Sequence, residues 1–158
     1  MTSFASPSRI SPSRAVNPKH TVLLSRLKQG LHADLQDYRR LQKVLAMQFE
    51  AIVQHRSKLL EDIAAKVVKL VEEMEARKKE RVQIVVALLG RENPPSMEAL
   101  LSLLPKPYNQ LIPPLWQELG TLVKDCKELN TRNCNLLTAQ NEIMQQVLNG
   151  EADTYAPV

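Results

Sequence analysis

The chain has 158 residues, of which 44% are apolar, 4% are aromatic and four are glycine. This composition favours long helices over β-sheets, and we expect an all-α protein. The net charge of +4 arises before Asp34, the first acidic residue, because five basic residues precede it and the remaining chain is nearly neutral. A nucleic-acid-binding domain usually carries its basic face on the folded part, so that class of partner is not expected.

The N-terminal segment, residues 1–19, holds two copies of Ser-Pro-Ser-Arg, at 6–9 and at 11–14. A segment of this composition buries too little apolar surface to order itself. We predict a disordered arm, which is either dispensable or a docking segment. It lacks the apolar run of a secretory signal, and the protein is expected in the cytoplasm.

The first predicted helix covers residues 20–54. No proline occurs between Pro18 and Pro94. An apolar side chain recurs every seven residues, which is typical of one buried helix face. The members of this row are Leu24, Leu31, Tyr38, Leu45 and Ile52.

The second predicted helix covers residues 58–89. Its apolar row is out of phase with the first, so we place a break at 55–58, with Ser57 as the cap of the new helix. One continuous helix with a stutter is the alternative. Gly90 is expected to end the second helix.

A charged stretch, Glu75 to Arg81, interrupts the second row. Arg77 and Arg81 stand where the apolar pattern would continue. We interpret the stretch as a solvated face where the bundle thins. A site for nucleic acid or for an acidic partner is the alternative.

Residues 91–114 form a connector that holds six of the ten prolines. Within it we predict a short helix over 97–104, capped by Ser96. The third long helix is expected over 114–148, because proline is tolerated in the first turn of a helix.

These elements predict one helical domain over residues 20–150, followed by a flexible tail at 151–158. Its architecture is expected to be an elongated antiparallel bundle of three long helices, with the short extra helix in the Pro-rich connector. No apolar run approaches the roughly 20 residues of a membrane span, so membrane insertion is not expected.

Residue patterns that carry catalysis or metal binding are missing from the sequence. The four glycines are widely separated, so no phosphate-binding loop is formed. Cys126 and Cys134 are about 12 Å apart along one predicted helix, too far for a disulfide, and have no nearby histidine for a zinc site. We therefore expect no enzyme, no cofactor and no metal.

The third helix carries two adjacent apolar rows, the first with spacings that alternate between four and three. A three-helix bundle can bury these rows. Asn130, Asn133 and Gln140 lie on them, and either fix the register of the seam or bond an incoming peptide. The first row is Leu115, Leu119, Leu122, Cys126, Leu129, Asn133, Leu136, Gln140, Ile143 and Val147, and the second is Trp116, Val123, Asn130, Leu137 and Met144.

Two segments of the third helix carry a resemblance to a known family. They are Trp116-x-x-Leu119 and the run at 129–137, Leu-Asn-Thr-Arg-Asn-Cys-Asn-Leu-Leu. With a tyrosine-bearing tail at 153–155, they resemble the FlgN family of flagellar type III export chaperones, over roughly residues 24–156. The run departs from the family at its sixth residue, which is cysteine where the family has glycine.

The resemblance implies a cytoplasmic chaperone that binds the disordered C-terminal region of hook–filament junction (hook-associated) proteins. It also implies delivery to the gate or ATPase components of the flagellar export apparatus, with Tyr155 in contact with the gate. We expect the client on the double row of the third helix, at Trp116, Leu119, Leu122, Val123, Cys126, Leu129, Asn130, Asn133, Leu136 and Leu137.

Two other hypotheses come from the sequence. One is a structural coiled-coil protein that assembles with itself, for example as a homodimer. The other is a nucleic-acid-binding bundle that uses the basic arm with Arg77, Lys78, Lys79 and Arg81.

Overall fold

The computed structural model describes residues 17–91 and 94–155, except for the side chains of 151–155. These residues form an all-α fold without strands. The helices are α1 (Pro18–Val53), α2 (Ser57–Leu89), α3 (Met97–Leu101) and α4 (Tyr108–Tyr155). None of them, over the ranges described, combines the length and apolarity that a bilayer crossing needs.

The helix α1 begins two residues earlier than predicted, because Asn17 and Pro18 form a cap. Asn17 Oδ1 accepts a hydrogen bond from the backbone N–H of Lys19 at 2.8 Å, and Pro18 takes the first helical position. The part of the predicted arm at 1–16 lies outside the described residues.

The break between α1 and α2 is made by backbone geometry. His55 has a φ of 55°, and the N–H of Arg56 donates to the carbonyl of Ala51 at 2.9 Å. The N–H of His55 donates to Ile52, which completes a Schellman motif. Ser57 is therefore the first residue of α2 and not its cap, which is Arg56.

At its other end α2 stops at Leu89, and Gly90 follows with a φ of 92°. This left-handed conformation favours glycine, which has no Cβ to clash.

The short helix α3 ends at Leu101, earlier than the predicted residue 104. Ser96 caps it, with the N–H of Ala99 donating to Ser96 Oγ at 3.3 Å. At its end the N–H of Leu103 donates to the carbonyl of Leu100 at 2.9 Å, a tighter turn that closes the helix before Pro105.

The long helix α4 requires two corrections to the predicted range of 114–148. It begins at Tyr108, and Pro113 and Pro114 lie inside it. The added turn buries Ile112 completely in the core, which compensates for the backbone hydrogen bonds that the prolines remove. The helix also runs to Tyr155, through part of the predicted tail; residues 156–158 lie outside the described range.

The helix α1 packs between α2 and α4, whose described backbones do not approach one another. It runs antiparallel to α2 and parallel to α4. The parallel register is visible in three contacts at a constant offset, Cys126 with Tyr38, Asn133 with Leu45, and Gln140 with Ile52. Consecutive long helices are therefore antiparallel, while the first and third are parallel.

The main hydrophobic core lies at one end of the molecule, where the start of α1 meets the end of α2, α3 and the start of α4. The fully enclosed side chains of this core are Leu24, Leu27, Leu31, Leu88, Leu100 and Ile112. Burial of each of them contributes about 1.5–3 kcal/mol to the stability of the fold. A second, smaller cluster is centred on Leu41, Leu45 and Cys126.

Candidate functional site

A groove of about 620 Å³ runs between α2 and α4, with α1 as its floor. It exists because α2 and α4 both pack on α1 while their described backbones stay apart. Below, it is called the α2–α4 groove. Its apolar lining consists of Leu41 and Leu45 on α1, Val67, Val71 and Met74 on α2, and Trp116, Leu119, Val123 and Cys126 on α4.

The α2–α4 groove is long enough for about three turns of a helix. The floor extends from Asp34 to Leu45, about 16 Å or three helical turns at 1.5 Å per residue. Its side walls are helices already seated on α1, so a further helix laid in the groove would complete a four-helix arrangement.

One end of the groove is closed by side chains. The guanidinium of Arg81 lies 5.4 Å from the centroid of the Trp116 ring, a cation–π contact that joins α2 to α4. Arg81 also donates to Asp34 Oδ2 at 2.8 Å, which fixes its position above the floor.

The same arginine belongs to an ion network between α1 and α2. Arg77 Nε donates to Asp34 Oδ1 at 2.6 Å, and Arg77 also bonds Asp37. Arg40 donates to Asp37 Oδ1 at 2.8 Å. Both carboxylates are buried. Burial lowers the pKa of Arg77, but the hydrogen bonds that it donates to Asp34 and Asp37 and the charges of these carboxylates outweigh burial and raise the pKa, so the group stays charged.

This network corrects the prediction of a solvated face over 75–81 at two positions, Arg77 and Arg81. Arg77 and Arg81 point into the α1–α2 seam, while Lys78 and Lys79 are exposed. The signal in the sequence was the match of spacings, with carboxylates three apart at 34 and 37 and guanidiniums four apart at 77 and 81. Both spacings place side chains on one helix face.

The seam between α1 and α4 is fixed by polar side chains at seven-residue steps. Asn133 is fully buried, and its Nδ2 donates to the carbonyl of Leu45 and to Gln48 Oε1, both at 2.8 Å. Gln140 Nε2 donates to the carbonyl of Ile52 at 3.2 Å. A one-turn slip would leave a buried amide unbonded, so these side chains specify the register.

Cys126 makes the third contact of this seam, with its Sγ–H donating to the carbonyl of Tyr38 at 3.6 Å. Burial raises the pKa of its thiol to about 11. The thiolate is therefore scarce at neutral pH, and Cys126 is a packing residue and a poor nucleophile.

Beyond Gln140, α4 continues past the end of α1. Residues 141–150 are exposed throughout, although the helix keeps an apolar face there. We call this segment the overhang. The predicted row of the third helix continues over it, but no described helix covers Ile143, Met144, Val147 or Leu148.

No cluster of three or more metal-ligating side chains is formed by the residues whose positions are described. What the chain presents is an apolar groove, an ion network that borders it, and an uncovered helix end.

The sequence matches the model of the family described as FlgN protein over residues 23–150. This chain belongs to the FlgN family. The match covers most of α1, all of α2 and most of α4, including every residue that lines the α2–α4 groove. FlgN proteins are chaperones of flagellar export and not enzymes. No curated protein and no solved structure matches the chain.

The FlgN-like run at 129–137 is divided between two surfaces in the structure. Asn133 is turned into the α1 seam, whereas Asn130 is exposed and lines the groove. Cys134, at the position of the family's glycine, is exposed, and its Sγ–H lies 3.9 Å from Asn130 Oδ1. Asn133 is bonded to α1 as a residue that fixes register would be, whereas Asn130 is open to the groove.

The ten residues predicted to contact a client occupy different places. Leu122 belongs to the main core, Leu129 packs on the second cluster, Leu136 is half-buried and Leu137 is exposed. Tyr155 is the last residue of α4; its side chain lies outside the described part. The members that line the α2–α4 groove are Trp116, Leu119, Val123, Cys126 and Asn130.

Sequence reasoning missed the opposite wall of the groove. Val67, Val71 and Met74 on α2 face the α4 residues across the floor. Val67 and Met74 are seven residues apart and Val71 and Met74 are three apart, so the sequence places them on one face of α2. They share a surface with the α4 residues only because α1 packs antiparallel to α2 and parallel to α4.

Proposed function

We propose that this FlgN-family protein is a cytoplasmic export chaperone. It binds the disordered C-terminal region of hook–filament junction proteins and delivers them to the flagellar type III export apparatus. The observation that carries the proposal is the apolar groove left open between α2 and α4 in a chain of this family.

In this function the client segment folds into an amphipathic helix as it enters the groove. Its apolar face packs on Leu41 and Leu45 and between Val71 and Val123. A disordered segment must lose conformational entropy when it folds, which keeps the affinity moderate for the apolar area buried. Moderate affinity suits a partner that has to be released at the export apparatus.

Along α4 the surface for the client continues beyond the groove. The row that lines it, Trp116, Val123 and Asn130, leads at the same spacing to Leu137 and Met144, which are 40% and 57% exposed. A client longer than three turns therefore has apolar contacts along the same face of α4. The far end of α4, with Tyr155, is the proposed contact with the export gate or ATPase components.

Titration calorimetry tests the proposal directly. The purified protein is titrated with the C-terminal segment of a hook–filament junction protein from the same organism. We expect saturable one-to-one binding with an unfavourable entropy, because the segment becomes ordered. A well-folded protein that gives no heat of binding with any junction segment of the organism would overturn the chaperone function.

Self-assembly is the second candidate, and the overhang favours it. Ile143, Met144, Val147 and Leu148 are each more than half exposed, and an uncovered apolar helix face is a common oligomerisation surface. Sedimentation at increasing protein concentration is expected to show a dimer that is lost when Ile143 and Val147 are both replaced by lysine. A monomer at all micromolar concentrations would remove this candidate.

A further inference from the structure

The rim of the α2–α4 groove carries charges that the fold itself does not use. Lys78 on α2 and Lys127 on α4 both line the groove and are exposed. Neither is within ion-pair distance of a carboxylate in the described part of the chain.

The two lysines lie at the same level on opposite walls. Arg77, the neighbour of Lys78, bonds Asp37 of the floor helix, and Cys126, the neighbour of Lys127, bonds Tyr38 of that helix. Asp37 and Tyr38 are consecutive, so both lysines lie at the level of one turn of α1. A segment bound in the groove therefore meets both ammonium groups at that level.

Two carboxylates also line the groove, and only one of them offsets part of the charge of this pair. Asp34 is buried and bonded by Arg77 and Arg81. Glu75 is exposed and lies three residues before Lys78 on α2. Burial raises the pKa of Tyr38 on the floor, and the charges of Asp34 and Glu75 raise it further, so the Glu75 carboxylate acts at the level of the two lysines. Two exposed lysines against one exposed carboxylate leave this level of the groove with a net positive charge.

We infer that the groove selects an amphipathic helix with acidic residues on both edges of its apolar face, seated between Lys78 and Lys127. The inference rests on the proposed function for the source of that helix in the cell. Apolar residues provide the contact area, while the paired lysines discriminate against basic edges and set the position of the helix along the groove.

A pair of synthetic peptides tests the charge preference without the natural client. Both are helical, about 14 residues long to cover the floor, free of tryptophan and identical on the apolar face; one has glutamate edges and the other lysine edges. Trp116 is the one tryptophan of the chain and lines the groove. Its emission therefore reports occupation of this groove.

We expect the glutamate-edged peptide to shift Trp116 emission and to bind at least about fivefold more tightly than the lysine-edged peptide at low salt. High salt is expected to reduce the difference. In the variant that combines Lys78→Glu and Lys127→Glu, the preference should reverse. The control combines Lys79→Glu and Lys124→Glu, which are exposed on the same helices outside the groove lining, and should keep it.

Equal binding of the two peptides, or no response of Trp116 to either, would overturn the inference. Equal loss in the groove and control variants would overturn it as well, because the effect would then come from overall charge. These results are separate from the calorimetry. If the client binds in calorimetry but the peptides show no charge preference, the chaperone function stands and this inference fails. If the peptides show the charge preference but no client binds, the inference stands and the chaperone function fails.

Discussion

Replacing Asp34 with alanine is expected to lower the free energy of unfolding by about 3 kcal/mol. Asp34 is buried and accepts bonds from both Arg77 and Arg81. Without it, Arg81 loses its only carboxylate partner in the described structure and Arg77 keeps Asp37 alone. A partly buried arginine without a carboxylate partner costs more than the lost attraction between the charges.

Urea denaturation followed by circular dichroism measures this change. The matched control is Asp62→Ala on α2, whose exposed carboxylate lies 3.9 Å from Lys58; its removal is expected to cost less than about 0.5 kcal/mol. Equal changes in the two variants would mean that the network contributes no more to stability than a surface ion pair.

Replacing Val71 with aspartate is expected to weaken client binding by at least about tenfold. Val71 lies on the α2 wall of the groove, where the carboxylate would face the apolar side of the bound helix. Val82→Asp is the matched control, since both valines are on α2 and both are 42% exposed, while only Val71 lines the groove. Calorimetry with the junction-protein segment gives the two affinities.

The two valine variants should unfold at similar urea concentrations, because neither side chain is buried. If the Val71→Asp variant binds the client as tightly as the Val82→Asp variant does, the client does not contact the α2 wall. A loss of affinity in both variants would point to a general effect of negative charge on α2.

Much of the fold follows from local patterns. The seven-residue row of α1 is buried except for Tyr38, which is half-buried. Gly90 and Ser96 act through conformations and hydrogen bonds that their residue types favour wherever they occur. Such features depend on the chain within a few residues, so the sequence alone suffices to predict them.

The helix boundaries that differ from the sequence predictions depend on tertiary packing or on an unusual backbone conformation. The start of α4 at Tyr108 is decided by the burial of Ile112 in the main core, which outweighs the cost of two internal prolines. His55 adopts the left-handed conformation that glycine normally occupies in a Schellman motif. Neither outcome can be read from a periodic pattern.

Only one wall of the candidate site could be predicted from the sequence, because the other wall also depends on how the helices pack. The α4 wall, with Trp116, Val123 and Asn130, came from the double row and the family resemblance. The α2 wall and the closing contact of Arg81 with Trp116 join residues far apart in the chain. They depend on α1 lying between two helices whose described backbones stay apart, and no spacing within one helix contains that information.

Photo-cross-linking from Val71 tests the central claim most directly. A photoreactive residue is placed at Val71 or, in the control, at Val82, and each protein is irradiated with the junction-protein segment. If the client lies in the α2–α4 groove, it is expected to cross-link from position 71 and not from position 82. Cross-linking from position 82, or from Ile143 on the overhang, with none from position 71, would contradict a client site between α2 and α4.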